Sequence, residues 1–178
     1  IDCREELDID EYSIFCIPGF DTGFSFNSFK RYKFETFTSS KKCISLKSTI
    51  QEERRTTLMV VVDQYNKFIK LYQDSELIDE ATFEGRLMPY HNQKFMYLGK
   101  ALEKSQNKRR PFKGIINQLA VWNHSLEPGQ VEAVYNNLYL GVSEGYDGYT
   151  TPHCLEVAYD AKASTNHQLY DLSGNKVD

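Results

Sequence analysis

The chain has little that would commit it to a membrane, a nucleic acid or a metal centre. Its longest uninterrupted apolar run, Leu58-Met59-Val60-Val61-Val62, falls far short of the roughly 20 residues that cross a bilayer. Membrane insertion by this segment is therefore not expected. An excess of one charge is missing too: 21 basic and 25 acidic residues leave a net −4, without the basic footprint of a nucleic-acid binder. Cysteine is sparse. Cys3, Cys16, Cys43 and Cys154 are spaced far too widely for zinc ligands of the Cys-x2-Cys kind. His91, His124, His153 and His167 show no ligand spacing and read as surface residues. Neither a Gly-x-Ser-x-Gly elbow nor a phosphate-cradling glycine loop occurs. The first residues, Ile1-Asp2-Cys3-Arg4-Glu5, have no basic stretch leading into an apolar one. Any signal peptide is thus expected to have been removed or to lie outside this stretch.

What is present suits one domain, since 178 residues match the usual size of a compact unit with a single core. An even set of cysteines allows three pairings. In an oxidising compartment Cys16 with Cys43 and Cys3 with Cys154 is favoured, the second pair tying the two ends of the chain together; four buried thiols is the alternative. The sequon Asn123-His124-Ser125 follows a strand-like segment, which makes Asn123 a candidate N-glycosylation site in an exposed turn. Cysteines and sequon together point to an extracellular or cell-surface location.

Strand signals dominate. Tyr12 to Ile17 has a strand's composition and ends at Pro18-Gly19, and Phe24, Phe26 and Phe29 continue the β character. Tyr32-Lys33-Phe34-Glu35-Thr36-Phe37 alternates with period two, which predicts a strand with one wet face, and Cys43 to Lys47 repeats the alternation. Leu58 to Val62 is apolar throughout and so predicts a central strand covered on both sides. Phe68 to Tyr72 pairs onward through Asp74-Ser75. Helical spacing appears once, in Glu127 to Leu138, where Val131, Val134, Tyr135 and Leu138 recur at threes and fours and Pro128 suits a first turn. The fold expected is all-β: a two-sheet antiparallel β-sandwich, or jelly roll, with one short helix in the C-terminal half.

The order Phe68 to Ile78, Tyr97-Leu98-Gly99, Phe112-Lys113-Gly114-Ile115-Ile116-Asn117 through Trp122, then Leu126 to Tyr135 resembles the closing half of a laminin-G-like domain. That family belongs to the concanavalin A-like sandwiches, which include adhesion domains, pentraxins and some glycosidases. The resemblance covers residues 12 to 138. Two departures stand out: Ser75 replaces the glycine of a Tyr-x-Asp-Gly hairpin, and Asn117 replaces an aspartate. Ser75 must therefore accept a positive φ or use another turn. Residues 154–178, with Leu155 to Asp160 and Leu169-Tyr170-Asp171-Leu172-Ser173-Gly174-Asn175, resemble the family's opening strand. Residues 1–178 are accordingly expected to be a single laminin-G-like domain in which that strand is permuted, exchanged between units, or the start of a next repeat.

The resemblance implies a non-catalytic adhesion or recognition module whose partners are glycans or extracellular proteins and neighbouring domains of the same chain. Loop cations Lys104, Lys108, Arg109 and Arg110, flanked by Lys100 and Lys113, are candidate ligand residues because guanidinium forks suit sulfate and carboxylate. The family's frequent companion, calcium, would draw on the oxygens of Asn117, Asp171 and Asn175. An enzymatic alternative rests on Glu6-Leu7-Asp8-Ile9-Asp10-Glu11, which matches the Glu-x-Asp-x-x-Glu signature of laminarinase-like retaining glycosidases. There Glu6 would be the nucleophile, Asp8 its orienting neighbour and Glu11 the acid/base. A structural assembly domain of a multidomain surface protein is a further alternative.

Overall fold

The computed structural model describes residues 11–17, 22–27, 31–48, 55–87, 97–99, 110–138 and 155–160. In chain order the elements are β1 (Glu11–Ile17), β2 (Thr22–Asn27), β3 (Tyr32–Phe37), β4 (Cys43–Lys47), β5 (Leu58–Asp63), β6 (Phe68–Gln73), β7 (Glu76–Thr82), β8 (Tyr97–Leu98), β9 (Arg110–Pro111), β10 (Gln118–Trp122), α1 (Pro128–Leu138) and β11 (Leu155–Asp160). The chain divides into two compact units, Ile1–Gly114 and Ile115–Asp178.

In the first unit, aromatic and β-branched residues at alternate positions build two sheets. One has six strands in the order β4-β3-β2-β1-β8, with β9 also pairing β1, in parallel; the other runs β5-β6-β7. Phe34, Ile44 and Leu46 of the first sheet meet Ile69, Leu71 and Phe83 of the second in one buried cluster, with Val60, Val62, Ala81 and Leu87 packed against it. Two facing sheets around an apolar layer make a β-sandwich, as the alternation predicts.

The apolar run at β5 behaves differently from the expectation. Among the described residues β5 is an edge strand, and only Val61 in it is buried; β6 takes the centre, with Ile69 and Leu71 fully buried. A continuous apolar run signals contact on both faces, which an edge strand also has when its flank is covered. The Asp74-Ser75 turn does join β6 to β7, and both residues take positive φ, 52° and 70°. Ser75 thus adopts the left-handed geometry at a cost of about 1 kcal/mol. The turn is tied down: the Thr57 N–H donates to Asp74 Oδ1 and the Asp74 N–H to the Thr57 carbonyl. At the outer edge of β4, Asp79 Oδ2 accepts the Lys47 N–H at 2.9 Å, so a side chain of the opposite sheet caps an edge donor.

Cys43 is disulfide-bonded, which removes the free-thiol alternative for this residue. The favoured partner, Cys16, does not fit. β2 and β3 lie between β1 and β4, placing the two backbones three strand spacings apart, about 14 Å; a disulfide spans Cα separations below about 7 Å. Cys3 and Cys154 lie outside the described residues.

In the second unit β10 and β11 pair antiparallel from Gln118↔Asp160 to Trp122↔Leu155. The C-terminal segment that reads as the family's opening strand therefore sits against its closing strand in the same chain. The helix starts where its sequence predicts: Gln130 Oε1 accepts the Glu127 N–H and the Gln130 N–H donates to the Glu127 carbonyl, with Pro128 in the first turn. Val131 and Val134 are its buried face. Gly114, in the Phe-x-Gly segment, has no room for a Cβ because the Phe112 ring occupies that space.

Candidate functional site

Strand register divides the six-stranded sheet into two chemistries. Phe34 pairs with Leu46 and Thr36 with Ile44 towards the core, leaving Lys33, Glu35, Ser45 and Lys47 on the outer side. Ser13 shares the row of Lys33 through Ser25. Alternation predicts that this outer side is wet. Instead Lys33 and Glu35 are bridged at 2.9 Å with side chains only 5% and 6% exposed, and Ser13 is completely buried. The Oγ atoms of Ser13 and Ser45 are buried without a hydrogen-bond partner. Such a pair holds together because attraction grows as water is excluded, and each charge would be costly alone.

Among the described residues of this face, Glu35 and Glu11 do not form the close carboxyl pair of retaining hydrolysis. Glu35 is closed against Lys33. Glu11, the first residue of β1, stands opposite Asn27, while Glu35 stands opposite Gly23. Four residues along and two strands across separate their Cα atoms by about 16 Å, whereas the two carboxyls must approach to about 5–5.5 Å. Glu6 and Asp8 lie outside the described residues.

Of the other expected site residues only some are described. Arg110 is in β9, with its backbone paired to Tyr12, and Lys113 is exposed; Lys104, Lys108 and Arg109 fall outside the described residues. Asn117 is exposed just before β10, while Asp171 and Asn175 fall outside. Among the described residues no group of three or more His, Cys, Asp or Glu side chains gathers as metal ligands would. Asn123 is exposed in a bend, as a glycosylation acceptor requires. His124 beside it is half-buried, both ring nitrogens enclosed without partners, and so is not the surface residue its sequence suggests.

One surface was not anticipated. The turn between β5 and β6, Asp63-Gln64-Tyr65-Asn66-Lys67, is organised by Asp63: Oδ1 accepts the Tyr65 and Asn66 N–H groups, and Oδ2 accepts from Asn66 Nδ2. These bonds, led by the Asn66 N–H, hold the Asp63 carboxyl below the usual carboxylate range. Tyr65 stands at the tip, 92% exposed. The strap 83–87 braces it. The Gly85 carbonyl accepts from Gln64 Nε2 and Lys67 Nζ, the Leu87 N–H donates to Gln64 Oε1, and the Phe83 N–H donates to the Lys67 carbonyl. The signal in the sequence is an Asx-turn pair, Asp63 and Asn66, around an aromatic.

The family model of the concanavalin A-like lectin/glucanases superfamily matches residues 12–132. No curated protein matches the chain. A crystal structure of an S-layer domain-containing protein (residues 221–444) from Clostridium thermocellum ATCC 27405 is similar at 17% identity and a TM-score of 0.41. The likeness covers 64% of this chain and 55% of that one.

Proposed function

The chain belongs to the concanavalin A-like lectin/glucanases superfamily, and we propose that it works as a non-catalytic recognition module outside the cell, engaging glycans or extracellular proteins as part of a larger surface protein. The observation that carries this reading is the outer sheet face, where the buried Glu35 is bridged to Lys33 at 2.9 Å. A face closed in this way suits scaffolding better than acid/base chemistry. The location is supported by the Cys43 disulfide, since such bonds persist in oxidising compartments, and by the exposed Asn123 sequon. Among the described residues no helix is long and apolar enough to cross a membrane.

A glycan array probed with and without calcium tests the reading, with the Glu6→Gln/Glu11→Gln double variant alongside the natural chain. Unchanged binding and no cleavage of β-glucan by either protein is the expected result. Cleavage that disappears in the double variant would replace recognition with hydrolysis. Light scattering run in parallel separates assembly: a concentration-dependent oligomer that binds no ligand would make the chain a building block.

A further inference from the structure

Three segments meet at one end of the first unit. The strap 83–87 bonds to the β5–β6 turn as described, and on its other side the Ser39 N–H donates to the Arg86 carbonyl at 2.7 Å while Thr38 bridges Leu87. The β3–β4 turn, residues 38–42, is closed by Thr38, whose N–H donates to the Lys42 carbonyl and whose Oγ1 accepts the Lys42 N–H. Lys41 and Lys67 both hold a positive φ of 61°, so each turn is set in a defined shape. Phe83, 5% exposed, roots the strap in the sandwich core.

Among the described residues the rim so formed carries Lys41, Lys42, Lys67 and Arg86 against Asp63 and Glu84. A local positive balance in a chain of net charge −4 gives this end a sign opposite to the whole. Tyr65 adds an aromatic face that is 92% exposed. An exposed ring on a loop already immobilised by side-chain hydrogen bonds loses little further freedom on binding, which is what a recognition platform requires.

We propose that this rim is a binding site for an acidic saccharide, with a sugar ring stacking on Tyr65 and its carboxylate or sulfate groups meeting Lys41, Lys42 and Arg86. The proposal rests on the recognition reading above and narrows it to one end of the sandwich and one ligand chemistry. A ring of C–H groups suits the tyrosine face, and anionic substituents suit the flanking cations better than a neutral glycan would.

The test measures binding of the full chain to heparin oligosaccharides, with neutral laminarin and poly-glutamate as comparisons. Heparin is expected to bind in a salt-sensitive way and laminarin much more weakly. Tyr65→Ala should weaken heparin binding about tenfold, and Lys41→Glu with Lys42→Glu on the order of tenfold while flattening the salt dependence. Tyr65→Phe, which keeps the ring, should stay near the natural affinity. All these side chains are exposed, so thermal unfolding should not move. If rim variants bind normally while Lys104→Glu/Lys108→Glu loses binding, the rim assignment is overturned and the recognition reading stands. If the natural chain binds no saccharide of either kind, the glycan reading fails and takes the rim with it. Poly-glutamate binding as tight as heparin, with the same Tyr65 dependence, would overturn the saccharide in favour of an acidic polypeptide.

Discussion

The two faces of the six-stranded sheet both carry buried residues and are built from opposite materials. The inner one offers Phe34, Ile44 and Leu46, each 6% exposed or less; the outer one offers Ser13, Lys33 and Glu35, each 4% exposed or less. Burial on the inside is driven by apolar area removed from water. Burial on the outside is tolerated because two opposite charges were brought together, and it leaves two serine hydroxyls without partners. Equal exclusion from water therefore has unequal thermodynamic meaning: one face drives folding, while the other must be compensated for it.

Breaking the compensation gives the largest expected effect. Lys33→Ala removes the cation bridged to the buried Glu35 and should cost about 3–5 kcal/mol in urea unfolding, whereas Lys33→Met combined with Glu35→Leu should recover most of it. A single variant costing under about 1 kcal/mol would mean that the outer face is wet after all. On the inner face Leu71→Ala should cost about 3 kcal/mol through lost burial and a residual cavity, and no second substitution on the outer face should restore it.

The outer face also carries Cys43 by register, since Phe37, its partner on β3, is two residues from Glu35 and shares its side. Reducing its disulfide should lower stability by about 2–4 kcal/mol. Peptide mapping without reductant should find Cys43 cross-linked to a cysteine other than Cys16; recovery of a Cys16–Cys43 peptide would break the strand order itself.

Smaller effects come from the turns that frame the three-stranded sheet. Ser75→Gly should raise stability by about 1 kcal/mol, because glycine reaches a φ of 70° without penalty. Asp63 contributes through pH. Its folded carboxyl lies lower than its unfolded one, so the stability it adds is present above the unfolded value of about 4 and is lost as pH falls through the folded value. Acid unfolding of Asp63→Asn should accordingly be less steep below about pH 4 than that of the natural chain.

Much of the fold was legible. The period-two runs at Tyr32 to Phe37 and Cys43 to Lys47, the Asp74-Ser75 hairpin and the helix opening at Pro128 all correspond to observed elements. These signals are local, since each depends on a few residues and their side-chain period. The apolar run at Leu58 to Val62 was legible as a strand but not as an edge, because strand order is a property of the sheet. The site was less legible. Tyr65 is one tyrosine among 12, and only the hydrogen bonds of Asp63 and the strap 83–87 distinguish it as a presented ring. Lys33 and Glu35 read as a wet face because alternation shows which residues share a side, never what lies over that side.

The sequence by itself determined the class of fold, the superfamily and the helix after Glu127, because each follows from neighbouring residues along the chain. Tertiary structure alone decided that Cys43 and Cys16 stand on strands too far apart to bond, that Lys33 and Glu35 are sealed from water, that β11 pairs with β10, and that Tyr65 is held out on a braced rim. These depend on contacts between residues distant in sequence, and such contacts exist only once the entropy of closing the loops between them has been overcome.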